Sequence, residues 1–395
     1  MSFKRVGREG LLLAAAGSAA GVVWGANQVA LSIYMASIGM SPALIGAVLG
    51  ASALFSAAGS LAVGYLADYM DRLRLFVLLS LAEGASLLLM AIRSPVVVSA
   101  AYLLFMFINR YPVWAAVMGE FARRRGASDE LFSISSALNV AFSVLGAAIA
   151  SLPSYLGQLG YDVLFAAEAS AVLISAASAY SAIKRLGLAS IGAEKVGLRD
   201  LLRLRSSWLL KRLLPDALIG LGAGLIIPLF SLWFYLKFHV SLASLSVVYA
   251  ASNATLALGI LAAPVVSRAL GSRVLSVTVL QGIATAILAV MPEVPSLPAV
   301  LALFVVRNTL MNMANPLLTS LINDLTPKEE RGRVFGAWNT LSSVPRAVGP
   351  AVGGYLMGAG YLDLPLYITA SLYATAVASF YVLLRGVEGS LQAGG

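Results

Sequence analysis

Twelve long apolar segments alternate along the chain with short stretches that contain charged residues, proline or glycine. About 20 apolar residues in a helix cross the hydrocarbon core of a bilayer, which is roughly 30 Å thick. Hydrophobic residues make up 59% of the 395 residues, charged residues only 11%, and the mean hydropathy is +0.88. The segments lie near 10–38, 42–66, 74–92, 96–119, 131–157, 163–183, 213–236, 242–266, 274–291, 297–322, 334–358 and 364–384. This pattern predicts an all-α membrane protein with twelve transmembrane helices in a lipid bilayer.

The basic residues lie mainly on one side of the predicted spans. When the N-terminus and every second loop are assigned to one side, that side contains 22 of the 27 Lys and Arg residues. The opposite side contains only Arg93 and Lys237. Because cytoplasmic loops are enriched in Lys and Arg, we predict a protein of the cytoplasmic (plasma) membrane with both termini in the cytoplasm. The formal charge of +9 then reflects topology, and we expect no nucleic-acid partner.

Residue types that most enzymes and metal sites need are scarce. The chain has no cysteine and a single histidine, His239, which excludes disulfides, thiolate metal sites and histidine clusters. The sequence also contains no GK[ST] phosphate-binding motif and no hydrolase nucleophile motif. We therefore expect neither an enzyme nor an ATP-driven pump, and neither a metal nor a cofactor.

A basic polar stretch divides the predicted spans into six and six. It runs from Lys184 to Arg212 and contains eight basic residues, which we expect to contact anionic lipid head groups. The sequence thus predicts an N-terminal six-helix bundle (1–186), a cytoplasmic linker (187–207) and a C-terminal six-helix bundle (208–395).

The two halves contain an internal repeat. Shifting the chain by 200 positions aligns 129–161 with 329–361 without a gap, and ten of the 33 aligned residues are identical, including Asn139 with Asn339. Apolar composition alone does not match Asn, Ser, Tyr and Glu residues in one register. We therefore predict two parallel six-helix repeats, with a solute site between them near the bilayer midplane and transport by alternating access.

A charged motif follows the second predicted helix. It reads GYLADYMDRLR and resembles the loop signature G-x-x-x-D-R-x-G-R-R of the major facilitator superfamily at Gly64, Asp68, Arg72 and Arg74. The resemblance implies the major facilitator fold. It also implies a cytoplasmic gate, in which the glycine permits close helix approach and the aspartate pairs with basic groups. An ordinary solvated loop cluster is the alternative.

The gate that this resemblance implies has its partners at the end of the fourth predicted helix. They are Glu120 and the basic run 123–125, with Arg124 at its centre.

Three further stretches resemble members of the same superfamily. PKEERGRVFG (327–336) is similar to the loop between helices 10 and 11, and GPAVGG (349–354) is similar to an element of drug/proton antiporters. NRYPVWAA, which contains Arg110, is similar to a second antiporter element, with Trp114 in place of a glycine. The resemblance implies a secondary transporter that exports small organic compounds in exchange for protons.

Three arginines lie inside the predicted spans: Arg110, Arg307 and Arg346. An arginine at the centre of a membrane helix costs about 2.5–3.5 kcal/mol on insertion scales, so each needs an acid, a wet cavity or a ligand. By analogy with the family, we predict that they bind substrate in a central cavity. The alternative is a buried ion pair with Glu83 or Glu168.

Three carboxylic acids in the spans are candidates for proton coupling. Glu83 is the most central, and we predict that it carries the proton, with Arg110 on the next helix as its partner. Glu83 aligns with Gln281 in the second half, so its counterpart there is neutral. Glu168 is the second candidate. Asp216 is the third, although an acid in the first turn of a helix also stabilises the helix dipole.

The first predicted helix offers two further candidates for contact with a solute. Asn27 supplies an amide and Trp24 an aromatic ring, although aromatic residues near the ends of spans are often interfacial anchors.

The predicted function is secondary active transport of a small organic solute by a monomer, with proton-coupled efflux. The first alternative is uptake or exchange of an organic or inorganic anion that the central arginines bind. The alternative from another class is a transporter-like sensor or a lipid-moving protein.

Overall fold

The computed structural model describes residues 3–18, 20–125, 128–186, 207–327 and 330–392. Within these ranges all regular secondary structure is helical, as the apolar segments predict. Eleven helical stretches among the described residues are long and apolar enough to cross a membrane, judged by length and composition. The chain is therefore a multi-pass, all-helical membrane protein.

The helices follow the predicted spans closely. The N-terminal half contains α1 (Phe3–Ser18), α2 (Ala20–Ser37), α3 (Pro42–Tyr69), α4 (Arg72–Leu89), α5 (Pro95–Ile108), α6 (Tyr111–Arg125), α7 (Ser128–Ile149), α8 (Leu152–Leu156) and α9 (Gln158–Leu186). The C-terminal half contains α10 (Ser207–Leu213), α11 (Pro215–Ile226), α12 (Phe230–Phe238), α13 (Leu242–Leu270), α14 (Arg273–Val290), α15 (Leu297–Met313), α16 (Asn315–Leu325), α17 (Arg331–Gly358) and α18 (Leu364–Gln392). Single 3-10 turns lie at Met90–Ile92, Ile227–Leu229 and Met291–Glu293.

The eleventh predicted span corresponds to α17, which is not among the eleven apolar stretches. α17 has 28 residues. At 1.5 Å per residue it is about 42 Å long, which is enough to cross a bilayer. Three arginines, Arg331, Arg333 and Arg346, lower its apolar character. The helix lengths are consistent with the predicted twelve-helix architecture.

Two of the predicted spans are interrupted close to a proline. α5 and α6 are separated at Asn109 and Arg110, just before Pro112. Proline lacks a backbone N–H and its ring collides with the carbonyl four residues earlier, so it favours a break at this point. α15 and α16 are separated at Ala314, two residues before Pro316. The first break frees the backbone N–H of Arg110 for a bond to a side chain.

The described helices belong to two compact units. The first contains Met1–Met40, Ala51–Glu194 and His239–Asn253, and the second contains Ser41–Gly50, Lys195–Phe238 and Ala254–Gly395. Residues 187–206 of the predicted linker lie outside the described residues, and the predicted domain boundaries stay a prediction.

Glycines allow two pairs of helices to pack at backbone distance, one pair in each unit. A Cβ atom on Gly25 of α2 would lie 2.0 Å from the carbonyl oxygen of Ser143 in α7. A Cβ atom on Gly224 of α11 would lie 2.2 Å from the carbonyl oxygen of Arg346 in α17. Neither place has room for a side chain, which is the usual reason for glycine between membrane helices. The second contact sets the position of the Arg346 backbone beside α11.

An aromatic cluster lies in the core of the second unit. The Phe230 ring stacks on Phe234, with centroids 6.1 Å apart, and meets the Phe304 ring of α15 edge to face at 5.1 Å. Trp233, fully buried, packs against Phe234 at 5.0 Å. Aromatic pairs in these orientations stabilise helix packing beyond the area that they bury. The cluster holds α12 against α15, the helix that carries Arg307.

Candidate solute-binding site

A cavity of ≈ 620 Å³ lies within the second unit. Its volume is in the range of small-molecule sites, about 300–1,000 Å³. Helices α11, α14, α15, α16, α17 and α18 contribute polar, charged and aromatic side chains to its wall. These are Asp216, Gln281, Arg307, Asn308, Asn312, Asn315, Phe335, Trp338, Asn339, Ser342, Arg346 and Tyr373. We define this space as the α15 cavity.

Arg307 forms part of the wall of the α15 cavity and is almost completely buried, with 1% of its surface exposed. Its guanidinium lies over the rings of Phe230 and Tyr373, with 5.7 Å from Cζ to each ring centroid. Nε and Nη2 are buried and have no protein acceptor. Contact with aromatic faces stabilises the cation, but it does not replace hydrogen bonds to a buried guanidinium.

Arg346 and Asp216 line the same cavity from α17 and α11. Arg346 is exposed, whereas Asp216 is 8% exposed and follows Pro215 in the first turn of α11. The charge of Arg346 acts on the Asp216 carboxyl group. Among the described residues in the cavity wall, Asp216 is the only acid.

Three asparagines extend along one side of the α15 cavity. Asn308 and Asn312 lie about one helical turn apart on α15, and Asn315 is the first residue of α16. Asn312 Nδ2 donates to the Asn308 carbonyl at 2.8 Å and to Asn308 Oδ1 at 3.1 Å. Asn312 and Asn315 also line a second cavity of ≈ 740 Å³ that adjoins the first. These three residues therefore offer uncharged hydrogen-bonding groups over about two helical turns.

Arg110 occupies a different environment, in the interior of the first unit. Its Nε lies 2.8 Å from Glu83 Oε2, and its backbone N–H donates to Glu83 Oε1 at 3.3 Å. Nη1 donates to the hydroxyls of Ser80 at 3.1 Å and Ser175 at 3.0 Å. Arg110 and Glu83 are both at least nine-tenths buried. The sequence left two alternatives open for Arg110, contact with a substrate or a buried ion pair with Glu83 or Glu168. The structure has the buried pair with Glu83.

Comparison with known proteins identifies the fold. Residues 216–394 match the family model described as Major Facilitator Superfamily. No curated protein matches the sequence. The nucleoside transporter NupG superposes with a TM-score of 0.74 at 15% identity, over 96% of this chain and 99% of that chain. The chain has the major facilitator fold.

Two other solved structures agree. An auto-inhibited POT family peptide transporter gives a TM-score of 0.76 at 14% identity, over 96% of this chain and 97% of that one. A bacterial homologue of the human lysosomal transporter Spinster, in an inward-facing and unoccupied conformation, gives 0.68 at 13% identity, over 98% of each chain. At these identities the likeness establishes the major facilitator fold. The drug/proton antiporter subtype stays a prediction.

The three acids predicted for proton coupling have three different environments. Glu83 is paired with Arg110, and Asp216 faces the α15 cavity. Glu168 on α9 is fully buried, and neither of its carboxyl oxygens has a hydrogen-bond partner among the described residues. Burial of an unpaired ionised carboxylate is costly, so Glu168 fits its surroundings best as a neutral acid.

Trp24 and Asn27 do not belong to the wall of the α15 cavity. Trp24 is 50% exposed on the surface of α2, and Asn27 is half-buried. Their predicted contact with a solute stays a prediction.

The predicted gate is only partly within the described side chains. The side chains of Asp68 and Arg124 lie outside them, and Glu120 is half-buried. Arg72 is 6% exposed, and its Nε has no acceptor among the described residues. A Cβ atom on Gly64 would meet no described atom within 4 Å, and the predicted role of this glycine stays a prediction.

Arg74 contributes a local contact rather than a gating one. Its backbone N–H donates to the Asp71 carboxylate at 2.8 Å, which caps the N-terminus of α4. The gating role of the motif therefore stays a prediction.

Sequence reasoning missed several residues of the cavity wall. The asparagines at 308, 312 and 315 and the aromatic residues Trp338 and Tyr373 were not singled out. Amide side chains at helical spacing inside an apolar span were the available signal, because such groups are costly in lipid and so tend to face a cavity or another helix.

Proposed function

We propose that the protein is a secondary active transporter that moves a small organic solute across the cytoplasmic membrane by alternating access. The observation that carries this proposal is the α15 cavity, where Arg307, Arg346 and Asp216 meet amide and aromatic side chains in a membrane-embedded helical unit. Ionisable residues at such places commonly mark substrate or ion pathways in membrane proteins.

Reconstitution of the purified protein in liposomes tests this proposal. Time-dependent accumulation of a labelled solute, above protein-free liposomes, is the expected result. Specific binding without flux would instead favour a transporter-like sensor. Movement of a fluorescent lipid between the leaflets, without solute flux, would favour a lipid-moving protein.

We further propose proton-coupled efflux, with Glu83 as the proton carrier. Arg110 supports this role because it retains Ser80, Ser175 and the Val172 carbonyl as hydrogen-bond acceptors when Glu83 accepts a proton. The pair can therefore open without loss of every partner of the arginine.

The test of coupling is Glu83→Gln. This variant is expected to lose flux driven by a pH gradient but to retain solute exchange, which needs no net proton movement. Survival of gradient-driven flux in Glu83→Gln, with loss in Glu168→Gln or Asp216→Asn, would reassign the carrier. Survival in all three would remove proton coupling through these acids.

The second candidate function is uptake or exchange of an anion. The presence of both Arg307 and Arg346 in the wall of the α15 cavity favours it, whereas Arg110 already has an acid as its partner. Anion exchange that is independent of a pH gradient would favour this function over proton-coupled efflux.

The orientation and the monomeric state belong to the same proposal. Cysteines introduced singly at Ser190 and Ser94, in a chain with no native cysteine, are expected to label from opposite sides of the membrane. Labelling from the same side would contradict cytoplasmic termini. Mass determination of the protein in detergent, by light scattering, tests the monomer.

A further inference from the structure

Arginines at related positions of the two repeats have different surroundings. Glu83 aligns with Gln281, and Arg110 and Arg307 belong to the corresponding fourth helices of the two halves, one helical turn apart in the alignment. In the first unit, Glu83 pairs with Arg110. In the second unit the counterpart is an uncharged amide, and Gln281 is 2% exposed with no partner for its Oε1.

The hydrogen-bonding groups that lack acceptors on Arg307 form one edge of the guanidinium. Nε–H and Nη2–H point in the same direction, and both are without a protein acceptor. This edge matches the two oxygens of a carboxylate, which accept the two N–H groups side by side. The edge therefore fits an acceptor that presents two oxygens side by side, such as a carboxylate.

The charges in the cavity wall leave one cation without compensation. The described wall contains two arginines, Arg307 and Arg346, and a single acid, Asp216. With all three ionised, the wall has a net charge of plus one. A ligand group with a single negative charge balances it, whereas a phosphate monoester dianion does not.

We propose that the transported solute is a monocarboxylate whose carboxylate binds the Nε–Nη2 edge of Arg307. The inference rests on the proposed transport function and names its substrate class. Asn308 and Asn312, beside Arg307 in the same wall, bind hydroxyl or amide groups in the rest of the solute. Tyr373 lines the cavity and covers a face of the guanidinium. Because Nε and Nη2 are themselves buried, side chains of the wall shift when the carboxylate enters.

The decisive variant is Gln281→Glu, which places an acid in the α15 cavity at the position where the first repeat has Glu83. Ligand binding is measured as the shift in melting temperature of the purified full-length protein. The probes are lactate, gluconate and benzoate, each compared with its neutral amide and with inorganic phosphate. A ligand that binds the folded state raises its stability in proportion to RT ln(1 + [L]/Kd).

The wild-type protein is expected to be stabilised by at least one carboxylate and not by the matching amide. Gln281→Glu and Arg307→Gln are each expected to weaken that binding by about tenfold or more. Gln158→Glu, the same change at an exposed position outside the cavity wall, is the matched control and retains binding. If Gln281→Glu does not fold, as judged by its elution profile and helical circular dichroism, the Arg307→Gln result decides.

Three outcomes overturn the proposal. They are equal binding of amides and carboxylates, stronger binding of phosphate, and no shift with any of the carboxylates at millimolar concentration. Unchanged carboxylate binding in a folded Gln281→Glu or Arg307→Gln protein also overturns it.

Flux in liposomes separates this inference from the proposed function. Carboxylate binding that depends on Arg307 and Gln281, without flux, refutes transport but keeps the binding site. Flux of uncharged solutes that is unaffected by Arg307→Gln keeps transport but refutes the carboxylate site.

Discussion

The interior of the first unit and the α15 cavity of the second unit place related arginines in opposite situations. Arg110 has an acid, two hydroxyls and a carbonyl as acceptors. Arg307 has aromatic rings and two N–H groups without acceptors. Each repeat thus contains an arginine at a related position. The environments of the two arginines differ in one residue on an earlier helix, which is Glu83 in the first repeat and Gln281 in the second. An acid compensates the buried cation in the first unit, and we propose that a ligand supplies the acceptors for Arg307 in the second.

The largest expected effect comes from removal of the acid in the first unit. Glu83→Ala leaves Arg110 buried without its counter-charge, and we expect a loss of about 3–5 kcal/mol in the free energy of unfolding. Denaturant unfolding in detergent measures it. Gln281→Ala is the control in the second unit and should cost clearly less, because it strands no charge. Equal losses of unfolding free energy in the two variants would show that Arg110 and Arg307 do not differ in their need for a counter-charge.

The next effect concerns packing that the two units share. Gly25→Leu and Gly224→Leu each force a side chain into a backbone contact, at 2.0 Å and 2.2 Å from a carbonyl oxygen. Overpacking of this kind costs about 1–3 kcal/mol or more. Melting temperatures of the two variants should fall by similar amounts. A normal melting temperature in one of them would mean that the scaffolds are not equivalent.

The third effect concerns charge selectivity in the α15 cavity. Arg307→Gln or Arg346→Gln is expected to abolish anion binding, a change of at least about tenfold, with only a modest change for neutral solutes. Titration calorimetry with anionic and neutral ligands measures it. Arg110→Gln should instead lower stability without changing the charge preference. Unchanged binding of every ligand in the Arg307 and Arg346 variants would favour structural roles for these residues too.

The smallest effect comes from the amide face of α15. Asn312→Leu removes one hydrogen-bonding group, which is worth about 0.5–1.5 kcal/mol for a neutral partner. We expect weaker binding of hydroxylated solutes and no change for small anions without hydroxyl groups. Asn323 lies in the wall of the adjoining cavity only, so Asn323→Leu is the matched control. A comparable loss in both variants would argue against a specific role for Asn312.

The helical architecture was predictable because it follows from local sequence. Long apolar segments, basic loops and the repeat between 129–161 and 329–361 are all visible in one dimension. The break before Pro112 also has a local cause, although the apolar run across it hides the break from hydropathy alone.

The division of roles among the arginines was not predictable to the same degree. Successive helix positions differ by about 100° in direction, so a small error in helix phase exchanges a cavity-facing residue for a buried one. The pairing of Glu83 with Arg110 was one of the expected alternatives, since only a helix-to-helix contact was needed. The exposure of Arg346 and the burial of Arg307 depend on how α11, α15 and α17 pack, which no local pattern encodes.

The contact of Gly224 with the Arg346 backbone has a consequence for the range of ligands that the cavity accepts. The Arg346 backbone cannot move closer to α11, because the two backbones already touch. Adjustment to solutes of different length then comes from the torsion angles of a long, exposed side chain rather than from helix displacement. With its backbone fixed and its side chain free to adopt several lengths, Arg346 would allow ligands of different size. Its charge would still select ligands by their charge.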